Sequence, residues 1–251
     1  MTTRTPPNST PIVRTVKTAL VTGASKGLGR ALLLALSKNG VVVVGVARGA
    51  VLLEEALALA RAQGGVAHGI VADIGTPGAA ARIAAEAATK AGDIDVVIHN
   101  ASTLGPVPLK PLVDVGEEEL ARVFLTNTVG PLALTRAVVG GMVVRGHGDV
   151  VFISSDAAVE AYPSWGPYGA AKAAVDHAAR VLAAELDGSG VRVLVVDPGE
   201  MDTDMHSDAL PGADPLSLAR PDDVARRILK IVNDVEGYRS GTRAKAAEVL
   251  L

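Results

Sequence analysis

Six short runs of Val, Ile, Leu and Ala, at 17–22, 41–46, 66–72, 94–99, 149–154 and 191–196, are almost continuously apolar. Strands covered on both faces have this pattern, whereas a strand with one wet face alternates every second residue. Longer Ala- and Leu-rich amphipathic stretches lie near 27–39, 50–62, 77–91, 117–145, 164–186 and 221–235. Such strand–helix alternation implies a parallel sheet joined by right-handed crossovers, with helices on both faces. No repeat at solenoid spacing and no break in composition marks a second domain. The expectation is a single doubly wound α/β domain over residues 17–251, with a sheet of about seven strands.

Only 2% of the 251 residues are aromatic while 49% are apolar, so the core must be built from Ala, Val, Leu and Ile. A net charge of −3 with no long basic run argues against nucleic acid or a membrane surface as partner. The absence of cysteine removes disulfides, thiolate metal sites and thiol nucleophiles; no metal site is expected, and a cytoplasmic location fits. No apolar run reaches the length of a membrane span. Residues 1–16 hold three prolines and five threonines without an apolar segment, and are expected to be a disordered tail outside the fold.

Thr22-Gly23-Ala24-Ser25-Lys26-Gly27-Leu28-Gly29 follows the first run and opens the first helix. Glycines let a backbone turn tightly and approach a ligand, and the first N–H groups of a helix favour a pyrophosphate. Strand, turn and helix in that order are the context a dinucleotide site requires, giving a Rossmann-type reading. Such a site normally carries an acid at the end of the second strand for the adenine ribose 2′-hydroxyl. Here Ala47 stands at that place, followed by Arg48, and Lys26 lies on the same side. Two cations and no carboxylate suit a 2′-phosphate, so NADP(H) is expected over NAD(H). Asp73 and Asn100, after the third and fourth strands, can contact the adenine and the ribose, although both residue types also favour turns for local reasons. Ser25 and Leu28 in the glycine turn, Ile74 beside Asp73 and Met201 after the sixth strand are grouped with them as cofactor candidates.

Tyr168 and Lys172 are four apart in a predicted helix and share one face. A free tyrosine has a pKa of about 10, and a neighbouring ammonium is expected to lower it toward general acid/base work. Ser155, thirteen residues earlier at the end of the fifth strand, can hydrogen-bond a substrate oxygen; Ser154 should point the other way. Pro131 has no N–H, so the Asn127 carbonyl loses its helical partner and can hold a water linking Lys172 to solvent. The alternative is a kink that only fits the helix to the sheet. Trp165 is a possible wall of a substrate pocket or ordinary packing at a helix start. Residues 200–220, irregular and with two prolines, are either a lid or a plain surface connection.

From about Lys17 to about Thr242 the chain resembles the short-chain dehydrogenase/reductase family. The family's TGxxxGxG turn matches Thr22–Gly29, and its Asn-Ser-Tyr-Lys tetrad falls on Asn127, Ser155, Tyr168 and Lys172. Its PG motif matches Pro198-Gly199, with Thr203 where the family contacts the nicotinamide carboxamide. The stretches 151–157 and 164–169 are similar to the sepiapterin reductase-like branch, which includes fungal benzil reductases. The family's NNAG is replaced by His99-Asn100-Ala101-Ser102; His99 is expected to be a hydrogen-bonded strand histidine without a catalytic role. The acid that holds the pterin in sepiapterin reductases has no convincing counterpart, which counts against a pterin substrate.

The resemblance implies hydride transfer between nicotinamide and a ketone or alcohol carbon of a small molecule, with Tyr168 as acid/base. It also implies a homodimer or homotetramer through the helices at 117–145 and 164–186. Two alternatives stay open. One is a ketoreductase acting on carrier-bound β-keto thioesters, for which Arg220, Arg226, Arg227 and Lys230 would form a basic patch. The other is a catalytically silent nucleotide-binding sensor, which has no physical need of a complete tetrad.

Overall fold

Continuous apolar runs become strands because each side chain, up or down, finds a covered face. The computed structural model describes residues 16–251, so the tail expected over 1–16 lies outside the described residues except for Val16. The order begins with β1 (Thr18–Thr22), α1 (Gly27–Lys38), β2 (Val42–Ala47), α2 (Ala50–Ala62), β3 (Ala67–Val71) and α3 (Ala79–Ala91). It continues through β4 (Val96–His99), α4 (Glu117–Phe124), α5 (Gly130–Arg145), β5 (Gly148–Ile153), α6 (Gly166–Glu185) and β6 (Val191–Asp197). A short α7 (Asp204–Ala209), then α8 (Pro221–Asn233) and β7 (Arg243–Lys245) complete it. All seven strands are parallel, in the order β3-β2-β1-β4-β5-β6-β7. The chain reverses its direction of travel between β1 and β4, and ligands of open α/β sheets bind outside the strand ends at such a point.

Alternation along the strands splits the core into two layers. Ala19, Val21, Val96, Ile98, Val151 and Ile153 face α1, α2 and α8. Leu20, Val97, Val150 and Phe152 face α3, α5 and α6. Every residue of β5 and β6 is buried, which is why those runs carry no polar alternation. Alanines such as Ala56, Ala80 and Ala87 let helices lie close to the sheet, as the low aromatic content requires. At the opposite end from the site, Arg192 and Asp149 form a buried pair at 2.7 Å. Arg192 also donates to the carbonyls of Val232, Asp234 and Tyr238, so the pair fixes the end of α8 against the sheet. Its charge is thus satisfied on several sides, as burial demands.

Four details go beyond the sequence expectations or correct them. β7 lies beyond the apolar runs, because a three-residue edge strand held only by β6 needs no apolar stretch. The 200–220 segment is less irregular than expected: it holds α7 and a bridge between Met201 and Ala219. The helix expected over 117–145 is continuous in direction but contains a π turn, Leu125–Val129, immediately before Pro131. At 29 residues it is long and apolar enough to cross a bilayer, contrary to expectation. Its inner residues Val123, Leu134 and Met142 are nevertheless buried in the protein, with α5 lying on α3 and β5.

Candidate functional site

The glycine turn is shaped by backbone contact. Gly23 has φ +69°, and a side chain there would meet the Asn100 amide at 2.8 Å. At Gly29 a Cβ would sit 2.1 Å from the Gly23 carbonyl oxygen, so only glycine lets α1 start this close to the end of β1. The turn forms one wall of a cleft of about 680 Å³ at the carboxyl edge of the sheet, within the range that small-molecule and cofactor sites occupy. Gly23, Ser25, Lys26, Gly27, Leu28, Arg48, Asp73, Ile74, Asn100, Tyr168, Lys172, Pro198, Met201 and Thr203 all line it. Gly29 and Gly199 do not line it; Gly29 serves the turn, and the Gly199 N–H bonds to Asp197 at 3.1 Å.

Several of these side chains are already engaged. Asn100 Nδ2 donates to the carbonyls of Thr22 at 3.0 Å and Gly23 at 3.3 Å, holding the glycine turn. Asp73 Oδ1 accepts the Gly75 N–H at 2.9 Å, the turn role that was the alternative for it. Lys26 Nζ pairs with Asp204 Oδ2 at 2.8 Å, both side chains well exposed. An ion pair in that setting contributes ~0–1 kcal/mol, so it yields readily to a better anion. Thr203 caps α7 by accepting the His206 N–H at 3.3 Å, and its methyl lies against Gly27. Ala47 is buried and Arg48 exposed at the cleft wall, so no carboxylate stands at the end of β2. The residues present therefore fit a dinucleotide: a glycine turn, a helix N-terminus, and two cations, Lys26 and Arg48, on the cleft wall.

Of the tetrad, Tyr168 and Lys172 line the other end of the cleft, whereas Asn127 and Ser155, like Trp165, do not line it. Tyr168 is buried on the first turn of α6, and Lys172 lies beneath it with Nζ 5.5 Å from the centre of its ring. Lys172 Nζ donates to the Ile153 carbonyl at 2.6 Å, and burial pulls its pKa down to about 8 against the raising influence of Asp176. Burial pushes the Tyr168 phenol up to about 12; the carboxylates of Asp156 and Asp197 push it the same way, while the Ser155 and Ser102 hydroxyls lower it. The expected lowering by Lys172 is therefore overturned. Desolvation of the phenolate outweighs the hydroxyl contacts, and the Lys172 ammonium is directed at a carbonyl.

Ser154 and Ser155 differ in the opposite sense to the expectation: Ser154 lines the cleft and Ser155 does not. Ser155 caps the short turn after β5, accepting the Ala157 N–H at 3.2 Å and donating to Asp156 Oδ1 at 2.9 Å. Asp156 Oδ2 accepts the Tyr162 hydroxyl at 2.9 Å. Ser154 is buried and lines the cleft floor. Asn127 reaches the site by its side chain: Oδ1 accepts from Ser102 Oγ at 3.2 Å and the Thr103 N–H at 2.9 Å, and Nδ2 donates to the Thr103 carbonyl at 2.9 Å. The π turn supplies the extra backbone that turns Asn127 inward. Trp165 meets Tyr168 edge-on at 5.7 Å and joins Leu104, Leu109, Ala157, Met205 and Ala209 in a small apolar cluster. His99 is the strand histidine expected, with Nε2 2.8 Å from Thr135 Oγ1 and its ring stacked on Phe152.

Two contributors were missed. Ser102, where the family pattern has glycine, faces both Tyr168 and Asn127; the departure itself was the available signal. Arg243 touches the backbone of Ser155, and nothing in the sequence marks it.

A doubly wound sheet with a glycine turn at its switch point and a Tyr–Lys pair at the end of the cleft defines a dinucleotide-dependent oxidoreductase. The short chain dehydrogenase family model matches residues 17–213. The chain belongs to the short-chain dehydrogenase/reductase family. It is 35% identical over 191 residues to a short chain dehydrogenase of Pseudocercospora fijiensis, covering 75% of this chain but 61% of that protein. It is 31% identical to the 3-oxoacyl-[acyl-carrier-protein] reductase FabG of Pseudomonas aeruginosa, covering 90% and 93%. Among solved structures, a short chain dehydrogenase from Shigella flexneri complexed with NADP superposes with a TM-score of 0.86 at 26% identity, covering 92% and 97%.

Proposed function

We propose that this chain is an NADP(H)-dependent carbonyl reductase or alcohol dehydrogenase in which Tyr168 is the general acid/base. The observation that carries the reading is the meeting of Tyr168 with the Ser155 and Ser102 hydroxyls at one end of the cleft whose other end presents Lys26 and Arg48. A bound nicotinamide supplies or accepts the hydride. In reduction Tyr168, a phenol held in its neutral form at neutral pH, gives its proton to the carbonyl oxygen; in oxidation it takes the alcohol proton after first losing its own, as the phenolate. Ser155 turns its hydroxyl from Asp156 to the substrate oxygen, where charge develops. Lys172 would hold the ribose of a bound nicotinamide and, with Asn127, would provide the route by which Tyr168 exchanges its proton. The cluster of Trp165, Leu104, Leu109 and Met205 beside Tyr168 suits an apolar or aromatic ketone.

The NADP complex of the Shigella relative supports the cofactor preference, as do the two cations and the missing acid at Ala47. Exposed apolar residues on the helices expected at a subunit interface, Val129 and Val144 on one and Val181 on the other, support a homo-oligomer. A cytoplasmic location belongs to the same proposal. The carrier-bound alternative is favoured by the match to FabG over nearly the full length of both chains. Against it, the basic residues do not form one patch: Arg220 lines the cleft, and Lys230 donates to the Leu250 carbonyl.

Tyr168→Phe should reduce turnover by at least about a thousandfold, the scale of acid/base catalysis, while leaving NADPH affinity within about threefold. Near-normal turnover would sink the assignment. A panel of benzil, simple cyclic ketones and a carrier-bound β-keto thioester, each with NADPH and NADH, separates the substrate readings. Preference for the thioester would replace the first by the second.

A further inference from the structure

We propose that Arg243 is a positioning residue that locks together the three segments from which the catalytic end of the cleft is built. It sits on β7, in register with Val195 of β6, with its side chain largely buried. Its guanidinium makes three contacts, each to a different part of the site. Nη2 donates to the main-chain carbonyl of Ser155 at 2.8 Å and to Asp197 Oδ2 at 3.3 Å, and Nε donates to Asp176 Oδ2 at 3.1 Å. Asp176 is one helical turn beyond Lys172, on the helix that also carries Tyr168. Asp197 closes β6, and its other oxygen accepts the Gly199 N–H, fixing the turn that bounds the cofactor cleft. A planar fork with several donors can hold three acceptors at once; an ammonium, a point charge on a flexible stem, cannot reproduce that geometry.

The same group also balances charge. Asp176 and Asp197 are both buried, and buried carboxylates persist only when paired and hydrogen-bonded. Tyr168 is faced by Ser155, Ser102, Asp156, Asp197 and the Lys172 ammonium, and Lys172 by Asp176 and the Ile153 carbonyl. Arg243 is the cation in contact with both inner carboxylates. Without it their field on Tyr168 and Lys172 is uncompensated, and both groups hold their protons more tightly.

The proposal rests on the oxidoreductase reading, and its test is arranged to fail separately. Benzil reduction with NADPH and the reverse oxidation are followed across pH for wild type, Arg243→Lys, Arg243→Met and Tyr168→Phe. Arg243→Lys should lower kcat by about 10- to 100-fold, the cost of a misplacement on the order of 1 Å, with KM for NADPH within about threefold of wild type. Arg243→Met should in addition move the limb of the pH–rate profile set by Lys172, near 8, up by about one unit, and Arg243→Lys should restore that limb. A residue that only supports the fold would lower the melting temperature without moving the limb. If circular dichroism shows Arg243→Met unfolded, the pair D176N and D176N/R243M carries the test, since the double change removes a balanced ion pair while still depriving Ser155 and Asp197 of their donor. Wild-type kcat and an unmoved limb in folded Arg243 variants, with Tyr168→Phe inactive, overturn the positioning role and leave the oxidoreductase reading intact. An active Tyr168→Phe overturns the reading on which it stands.

Discussion

His99 should make this protein measurably acid-sensitive, and replacing it with asparagine should remove that sensitivity. The imidazole is buried against Phe152 with Nε2 bonded to Thr135, and desolvation of the cation lowers its pKa from 6.5 to about 3. A base with a depressed folded pKa takes up protons more readily when unfolded, so its stabilising contribution is present above pH 6.5 and is lost as pH falls toward 3. At about pH 5 the loss is ~2 kcal/mol, one and a half pKa units at ~1.4 kcal/mol each. That figure barely changes if the folded value is a unit higher, because both lie at least a unit below the assay pH. For a domain of this length it corresponds to a fall of roughly 4–8 °C in melting temperature between pH 7.5 and pH 5. Asparagine is uncharged at every pH and is the residue of the family pattern. His99→Asn will lower stability by a roughly constant amount through lost stacking, but its loss between the two pH values should be smaller than that of wild type by about 2 kcal/mol. Thermal or urea unfolding by circular dichroism at several pH values checks it. Equal pH dependence in the two proteins would show that His99 is protonated in the fold or that its burial is relieved on acidification, and would refute the reasoning.

Replacing Lys26 and Arg48 together by alanine should raise KM for NADPH by about 10- to 100-fold, the loss of one to two charge-assisted hydrogen bonds discounted for exposure. KM for NADH should stay within about threefold, and equal effects on both cofactors would remove the 2′-phosphate from their role. Ser102→Ala should lower kcat by about fivefold, the worth of one hydrogen bond of ~1 kcal/mol. It should also leave Asn127 in place through its two bonds to Thr103; an unchanged kcat would assign Ser102 to the loop alone.

Local patterns survived the passage from sequence to structure because they are enforced locally. The glycine turn needs Gly29 whatever else the chain does, and the buried runs need two apolar faces. The tetrad residues converge because Tyr168 and Lys172 share a helix face and Ser155 ends a neighbouring strand. What depends on convergence of distant segments was not legible. β7 has no apolar signature, and Arg243 acquires meaning only through Ser155, Asp176 and Asp197. The Tyr168 pKa went the opposite way because its direction is decided by desolvation and by Asp156 and Asp197, none of which the Tyr–Lys spacing reports. Asn127 was found for its freed carbonyl, yet its side chain does the visible work of holding Ser102 and Thr103.

The contact between Lys26 and Asp204 joins residues 178 apart in the chain. At a synthesis rate of about 5–20 residues per second, the glycine turn emerges roughly 9 to 36 s before its partner across the cleft mouth exists. Until then the turn after β6, with Met201 and Thr203 on the cleft wall, is incomplete, although the Tyr168 helix already precedes it in the chain. A nascent chain of this protein therefore offers a cleft still missing part of its wall. Binding energy from a dinucleotide arrives late, helping to hold a finished molecule and giving little to one still being made.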